Sequence, residues 1–402
     1  MDKILSVAAI GVGNRTRKYL TYITDHPEAV RLDSVVETNP ERLACAKADY
    51  SLDASVCFPD VDSFFAEKRP VDAVIIGTPD RTHYDLCMQA IACGYHVLLE
   101  KPVAESEEKC RAIARAAHDA GVLVFVCYEL RYHPYWLKVK EIHDSGQLGT
   151  LISVDYTVNV GLDRMTHAYV RGQWSKAGES APIFLAKCCH DVDAALWITG
   201  THVKNMASVG SLRWFREENA PEGSALRCKD CAIEKTCPFS AVDLYRRRGE
   251  WTDNFVVPPG KTKAEVIEEE LSEGPLGRCV YHCGNDVMDN QVVIMTTDKG
   301  VNITLQMVCL TREDGRFFRM VFSEGELFAD GETIRIRRHD RTPEEVLDFS
   351  EVMHLPFHSY SDLNLVADFL ETIRHPERTS LTIDDAIESE IICLRADGKL
   401  LI

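Results

Sequence analysis

Residues 4–15 read ILSVAAIGVGNR and decide the fold of the N-terminal part of the chain. The apolar first half has the length of a buried strand, and a helix is predicted over residues 15–25. Gly11 and Gly13 lie between them, where a tight turn can bring backbone N–H groups and a helix N-terminus to a pyrophosphate. The third glycine of the usual fingerprint would fall at Thr16, so the motif depends on its strand–turn–helix context.

A carboxylate at the end of the second predicted strand, Glu37, is the expected partner of the ribose hydroxyls. Since a carboxylate there repels a 2′-phosphate, it favours NAD over NADP. The residues expected to bind the dinucleotide lie at the first turn, at the end of the second strand and at the ends of two later strands: Gly11, Gly13, Asn14, Arg15, Glu37, Thr78, Pro79, Asp80, His83, Glu100 and Lys101.

Predicted strands and helices alternate up to residue 127, which indicates a parallel, doubly wound sheet. The second half contains strand-like runs, at residues 151–160, 292–297, 301–308, 317–323 and 333–338, and a late helix over residues 359–375. The fold class predicted is therefore α/β: a Rossmann-type doubly wound parallel sheet plus a C-terminal α+β domain with a large, open, mainly antiparallel sheet. The predicted domains are residues 1–127, which bind NAD, and residues 128–402, which serve substrate binding and oligomerisation.

The 402-residue chain carries a formal net charge of -18, which repels phosphate backbones and anionic lipid. Nucleic acid and membrane surfaces are therefore not expected as partners. We see neither a signal-peptide start nor an apolar run long enough to cross a bilayer, and we expect a cytoplasmic protein. The 15 cysteines are odd in number, which disfavours a disulfide framework in so large a chain.

Two segments carry a family resemblance, IIGTPDRTH at residues 75–83 and GYHVLLEKP at residues 94–102. Together they resemble the Gfo/Idh/MocA family, which includes glucose–fructose oxidoreductase and inositol dehydrogenase, and Glu100-Lys101-Pro102 is the most specific signature. The resemblance implies oxidation or reduction of sugars, inositols and related polyols with NAD(P). It also places Lys101 beside the nicotinamide and the reacting hydroxyl, with a cis bond before Pro102.

The helix that the resemblance makes catalytic departs from the common pattern. Ala186 occupies the position of the usual aspartate four residues before His190, and Lys187 follows it. Lys187 and His190 are three residues apart and so share one helix face. Hydride transfer needs a base for the hydroxyl proton and a cation for the oxygen. We expect His190 to accept the proton and Lys101 to orient the oxygen, with the reverse assignment open.

Further residues are candidates for substrate binding because they lie in segments after the first domain or near the catalytic helix: Tyr128, Arg131, His133, His167, Arg171 and Asp191. Asp193 is a further candidate for holding sugar hydroxyls. Both aspartates could equally sit in a helix where acids are favoured.

The insertion at about residues 212–290 is polar and contains Cys228-x2-Cys231-x5-Cys237, a spacing typical of metal ligands. Cys279, His282 and Cys283 are the nearest source of a further ligand. We predict a structural zinc held by four thiolates, or by three thiolates and one imidazole. Half of an iron–sulfur ligand run and chance clustering are the alternatives.

The function predicted is NAD-dependent hydride transfer at a ring hydroxyl of a sugar, glycoside or cyclitol, such as the hydroxyl on the third carbon. A first alternative is a glycoside hydrolase that retains NAD and works by transient oxidation and elimination. A second is a non-catalytic dinucleotide-binding scaffold, which would need neither Lys101 nor His190. An open sheet face is usually covered by another subunit, so we expect a homodimer or homotetramer.

Overall fold

The computed structural model describes residues 3–258, 260–354, 357–378 and 381–397, so Met1 and Asp2 lie outside the described part. The strands are β1 (Leu5–Ile10), β2 (Val30–Val36), β3 (Cys57–Phe58), β4 (Ala73–Ile76), β5 (His96–Leu99), β6 (Val124–Val126), β7 (Leu151–Gly161), β8 (Val203–Ser211), β9 (Asn290–Thr297), β10 (Asn302–Thr311), β11 (Gly315–Phe322), β12 (Gly325–Ala329), β13 (Thr333–Arg338) and β14 (Glu345–Asp348). The α-helices are α1 (Asn14–Asp25), α2 (Pro40–Asp49), α3 (Val61–Glu67), α4 (His83–Ala92), α5 (Glu107–Ala120), α6 (Pro134–Asp144), α7 (Leu162–Arg164), α8 (Ile183–Thr199), α9 (Lys263–Ser272), α10 (Ser350–His354), α11 (Phe357–Arg374) and α12 (Ile383–Arg395).

The chain divides into two compact units. Unit 1 comprises Met1–Lys140, Val192–Ile198 and Glu351–Leu394, and unit 2 comprises Glu141–Asp191, Thr199–Ser350 and Arg395–Ile402. This division differs from the predicted boundary at residue 127, because the late helix α11 packs against α1.

Unit 1 contains a six-stranded parallel sheet in the order β3-β2-β1-β4-β5-β6. Every residue of β1 and β4 is buried, which agrees with apolar runs covered on both faces. The strand order reverses between β1 and β4, so the turn after β1 lies at the switch point where such sheets bind ligands. The predicted Rossmann-type sheet is confirmed.

Unit 2 contains an eight-stranded sheet in the order β14-β13-β12-β11-β7-β10-β9-β8. The β7–β10 pair is parallel, and the other neighbouring pairs are antiparallel. Buried and more exposed residues alternate along β9 and β10, as expected for a sheet with one covered face. The predicted, mainly antiparallel sheet is confirmed.

The cysteine-rich insertion connects β8 to β9, which are antiparallel neighbours in the sheet. Within the part of it that the structure describes, it consists of α9, short 3₁₀ turns and a π-helical segment, Val242–Arg247. It has a small apolar core of its own, formed by Cys228, Ala241, Val242, Leu244, Tyr245 and Leu271. The insertion is thus a packed substructure rather than an open loop.

No helix within the described residues is long and apolar enough to span a membrane.

Candidate active site

The turn after β1 has the geometry that a pyrophosphate needs. Gly11 has φ +79°, and a Cβ there would lie 2.7 Å from the Thr78 side chain, so only glycine fits. A Cβ on Gly13 would meet nothing within 4 Å, which leaves open space over the turn. Helix α1 starts at exposed Asn14 with no side-chain cap and no acidic residue in its first turn. Its N–H groups are therefore suited to an anion, and the residues fit a dinucleotide.

The role of the glycine that is missing at position 16 is taken by Gly77, which faces Thr16 from the segment after β4. Thr16 is fully buried, and a Cβ built on Gly77 would lie 2.1 Å from the Thr16 hydroxyl. Close approach between α1 and the residue after β4 is thus obtained with glycine at Gly77 instead of at position 16. The departure from the usual fingerprint has a structural compensation.

Glu37 follows β2 and is fixed beside the turn. Its carboxylate accepts hydrogen bonds from the backbone N–H of Val12, at 3.0 Å, and of Asn39, at 2.9 Å. The Arg42 guanidinium lies 3.8 Å away and is partly exposed. The carboxylate is therefore positioned at the edge of the turn, as expected for a ribose contact.

A buried ion network supports the segment that carries Lys101. Glu100 accepts from Arg15 Nε at 2.9 Å and from the Tyr19 hydroxyl, and its other oxygen accepts from the Lys101 N–H at 3.1 Å. Burial opposes ionisation of Glu100, yet Arg15 and Lys101 hold its pKa below the ordinary value. The Lys101–Pro102 bond is cis, as predicted.

Arg15 also binds Asp362 on α11 through both terminal nitrogens, at 3.0 and 2.8 Å. Its side chain is therefore engaged within the protein, and its backbone is the part that can serve the predicted cofactor contact. The segment just after β4 contains Thr78, Pro79 and Asp80, which are predicted to contact the dinucleotide.

His83 does not serve the predicted cofactor contact. Its two ring nitrogens lie 2.7 Å from the Pro102 carbonyl oxygen and 2.9 Å from the Thr78 carbonyl oxygen, and the side chain is buried. His83 therefore ties the segment after β4 to the segment after β5.

Tyr128 is buried, contrary to its predicted role in binding substrate. Its hydroxyl donates to Glu390 at 2.8 Å and lies 3.2 Å from the Ala386 carbonyl oxygen, both on α12. Burial raises the pKa of Glu390 to about 8, in a region that also contains Lys101 and Asp80. Burial likewise raises the pKa of nearby Glu129 to about 7. Sequence reasoning missed both glutamates, and the apolar face of α12 was the available signal for Glu390.

Arg131 and His133 are also buried, and this corrects their expected contact with substrate. Arg131 forms a two-nitrogen ion pair with Asp193, at 2.8 and 2.6 Å, and lies over the Trp197 ring. The Nδ1 atom of His133 accepts from the Tyr135 N–H at 3.3 Å. A buried guanidinium needs a carboxylate, so both Arg131 and the candidate Asp193 serve the fold of unit 1.

In unit 2, helix α8 carries Lys187 and the buried His190 on one face, as predicted. The Lys187 ammonium has no hydrogen-bond or ion-pair partner among the described residues. Burial, followed by the charges of Arg316 and Arg164, lowers the pKa of Lys187 to about 8. An amine with such a pKa can exchange a proton near neutral pH.

Two ion pairs surround Lys187, and sequence reasoning missed both cations. Asp191 is fully buried and accepts from Arg316 Nε at 2.6 Å and from the Tyr156 hydroxyl at 2.7 Å. Asp314 accepts from Arg164 Nε at 2.8 Å and from the Gly161 N–H. Asp191 was predicted to bind substrate; its burial and its partners make it a support for Arg316 instead.

His167 contacts aromatic residues of the insertion. Its Nδ1 lies 2.9 Å from the Tyr245 hydroxyl, and its ring stacks on Trp251 with centroids 4.9 Å apart. The Arg164 guanidinium lies over the Trp251 ring, with its central carbon 4.9 Å from the ring centroid. Burial, with Arg171 and Arg164, lowers the pKa of His167 to about 4, so the ring is neutral. The partly exposed His167 and Trp251 form an aromatic wall of the kind that suits a sugar ring.

Arg171 is buried and anchors the insertion, contrary to its predicted contact with substrate. It donates to the carbonyl oxygens of Arg278, at 2.7 Å, and of Phe239, and its Nη2 lies 3.5 Å from Cys228 Sγ. Four predicted ligands, Cys228, Cys231, Cys237 and Cys279, line one cavity with Arg171. Among the described residues, no three His, Cys, Asp or Glu side chains already surround a metal position.

These features define a Rossmann-type dinucleotide-binding protein. Residues 5–128 match the model of the GFO_IDH_MocA family, described as an oxidoreductase family with an NAD-binding Rossmann fold. The inositol 2-dehydrogenase of Streptomyces avermitilis is 28% identical over 56% of this chain and 60% of its own length. The UDP-N-acetylglucosamine 3-dehydrogenase of Acidithiobacillus ferrooxidans is 26% identical over 51% of this chain and 58% of its own. Residues 5–128 are therefore the part of the chain that matches the NAD-binding domain of the Gfo/Idh/MocA family.

Solved structures share the fold over nearly the whole chain. An oxidoreductase from Agrobacterium radiobacter in complex with NAD+, L-tartaric acid and magnesium has a TM-score of 0.68, with 97% of this chain and 94% of that chain covered at 14% identity. The Acidithiobacillus ferrooxidans enzyme has a TM-score of 0.64, with 98% and 97% covered at 18% identity. In sequence, however, the chain spans less than two thirds of the length of the curated relatives it matches.

Proposed function

We propose that the protein is an NAD-dependent oxidoreductase that transfers a hydride to or from a ring hydroxyl of a sugar, glycoside or cyclitol. The observation that carries the proposal is Lys101, which follows β5 and lies next to the buried Glu100–Arg15 ion pair. A scaffold that only binds a dinucleotide has no use for an ammonium held in this way. The names of two relatives, an inositol 2-dehydrogenase and a UDP-N-acetylglucosamine 3-dehydrogenase, favour a ring alcohol, and the second favours the third carbon.

The cofactor proposed is NAD, whose nicotinamide accepts or donates the hydride when bound. The turn at Gly11 and Gly13 would hold its pyrophosphate, and Glu37 would accept hydrogen bonds from a ribose. Arg42, beside Glu37, is the residue through which a 2′-phosphate could bind, so NADP is the weaker alternative.

The proposed roles of the protein groups follow their electrostatics. Lys101 orients the substrate oxygen and stabilises negative charge that develops on it. His190 accepts the hydroxyl proton, and Lys187 exchanges that proton with solvent because its pKa, about 8, is close to neutral. Burial, together with the charges of Arg316 and Arg164, keeps the pKa of Lys187 low, while Asp191 and Asp314 hold the two guanidinium groups in place.

The test is to incubate the purified protein with NAD and a panel of sugars, cyclitols and aryl glycosides, following NADH absorbance and aryl release together. NADH formed in proportion to substrate consumed supports the proposal. Aryl release without net NADH would replace it with the NAD-retaining hydrolase. Tight NAD binding with neither signal would favour the scaffold.

We further propose that the open face of the eight-stranded sheet joins subunits in a homodimer or homotetramer. Three apolar side chains of this sheet, Val209 on β8, Ile294 on β9 and Phe317 on β11, are about half exposed, which is costly in water. Light scattering of the wild type and of an Ile294→Glu variant tests this. A wild-type mass of one chain would refute the proposal.

A further inference from the structure

The cavity in the insertion combines four thiols with a buried cation. Cys228, Cys231, Cys237 and Cys279 line it, together with the Arg171 side chain. The cavity has a volume of about 10 Å³, which is room for about one water-sized sphere. The fifth cysteine of this region, Cys283, turns away, because its thiol donates to the Cys279 carbonyl oxygen at 2.9 Å.

The surroundings of Arg171 are a second observation, independent of the cysteine spacing, that points to a ligand in this cavity. Only 1% of its surface is exposed, yet no carboxylate pairs with it among the described residues. Two backbone carbonyls and the Cys228 sulphur are its contacts, and its Nη1 has no hydrogen-bond partner. A buried guanidinium without a counter-anion is strongly unfavourable, so an anion is expected in this cavity.

Thiolates bound to a metal supply that anion. Four thiolates around a divalent ion carry a net charge of about −2, which one guanidinium would partly neutralise. Soft sulphur ligands select zinc, copper(I) or iron–sulfur clusters, and a cavity of this size suits one ion better than a cluster.

We propose that Cys228, Cys231, Cys237 and Cys279 bind one zinc ion, with Arg171 as the cation that balances the zinc–thiolate charge. The thiols close on the ion when it binds, since metal ligands must lose their protons and such sites form with their metal. The zinc is structural, because four protein ligands leave no position for a substrate. It holds the insertion to the π-helical segment Met165–Arg171, which also carries His167.

The test uses the full chain, purified under reducing conditions, freed of metal and titrated with Co²⁺ as the spectroscopic probe. We expect near-ultraviolet thiolate-to-cobalt absorption that saturates at about one equivalent and disappears when zinc is added. Cys231→Ser and Cys279→Ser should lose this band. Cys283→Ser and Cys45→Ser, the second an exposed cysteine on α2, should keep it.

Arg171→Leu should weaken cobalt and zinc binding by about 10- to 100-fold, the usual effect of removing an outer partner of a metal site, whereas Arg171→Lys should retain most of the affinity. The proposal is overturned if no thiolate band appears, if Cys283→Ser is as damaging as Cys279→Ser, or if the isolated protein contains iron and sulfide instead. The cobalt absorption is measured without substrate turnover, so its outcome is independent of the proposed dehydrogenase activity.

Discussion

Replacement of Lys187 by methionine tests the electrostatics proposed for helix α8. Burial and two nearby guanidinium groups lower the pKa of Lys187 from 10.5 to about 8. At about 1.36 kcal/mol per pKa unit, this corresponds to about 3 kcal/mol. The charge opposes folding at neutral pH, because the unfolded lysine binds its proton more tightly. Lys187→Met should therefore raise the free energy of unfolding at pH 7 by up to about 3 kcal/mol while lowering kcat about 100-fold or more.

The stability difference between the wild type and Lys187→Met should change with pH in a direction that the pKa of Lys187 determines. Between about pH 8 and 10.5 the unfolded chain holds more protons at Lys187 than the folded one, so wild-type stability rises with pH there. Urea unfolding at about pH 7 and about pH 9.5 should show that the difference in free energy of unfolding between Lys187→Met and the wild type is smaller at the higher pH. Lys204→Met, at an exposed lysine, is the matched control and should have the same free energy of unfolding as the wild type. The account is refuted if Lys187→Met is no more stable than the wild type at pH 7, or if the difference grows with pH.

The other predictions concern unit 1. Lys101→Met should lower kcat by about 10²- to 10³-fold with little change in NAD affinity by calorimetry; an equal loss of NAD binding would contradict its proposed role at the substrate oxygen. Glu37→Ala should reduce the ratio of kcat/KM with NAD to kcat/KM with NADP by about 10-fold, and an unchanged ratio would exclude the Glu37 ribose contact. Glu390 has its pKa raised from 4.5 to about 8, so the folded state holds the extra proton between these values and wild-type stability falls as pH rises through that window. Glu390→Gln should remove this decline in thermal melting profiles, and a profile identical to the wild type would show that Glu390 does not titrate there.

Strand and helix patterns of unit 1 were predictable because apolar runs buried on both faces are continuous in the sequence. The helix predicted over residues 15–25, for example, corresponds to α1 within one residue. The segments β8, β12, α9 and α12 were not predicted, because polar residues break their apolar runs, and the apolar face of α12 is visible only at helical spacing. α12, for example, places Glu390 on its buried face.

The site was predictable where the backbone determines the chemistry, at Gly11, Gly13 and the Lys101–Pro102 bond. It was not predictable where polar side chains pair with residues far along the chain. Arg131, Arg171 and Asp191 have the residue types of a sugar site, yet each is buried against partners that only the fold brings close. A single sequence shows that a charged residue is present, but it does not show which groups it will contact.

The ion pair between Arg15 and Asp362 constrains the order in which the protein can mature during translation. The guanidinium leaves the ribosome 347 residues before its carboxylate partner on α11. The nascent dinucleotide-binding unit therefore carries an unneutralised cation and an uncovered α1 surface until α11 has emerged. Emergence of α11, rather than of the six strands of the parallel sheet, is the event that allows this unit to close.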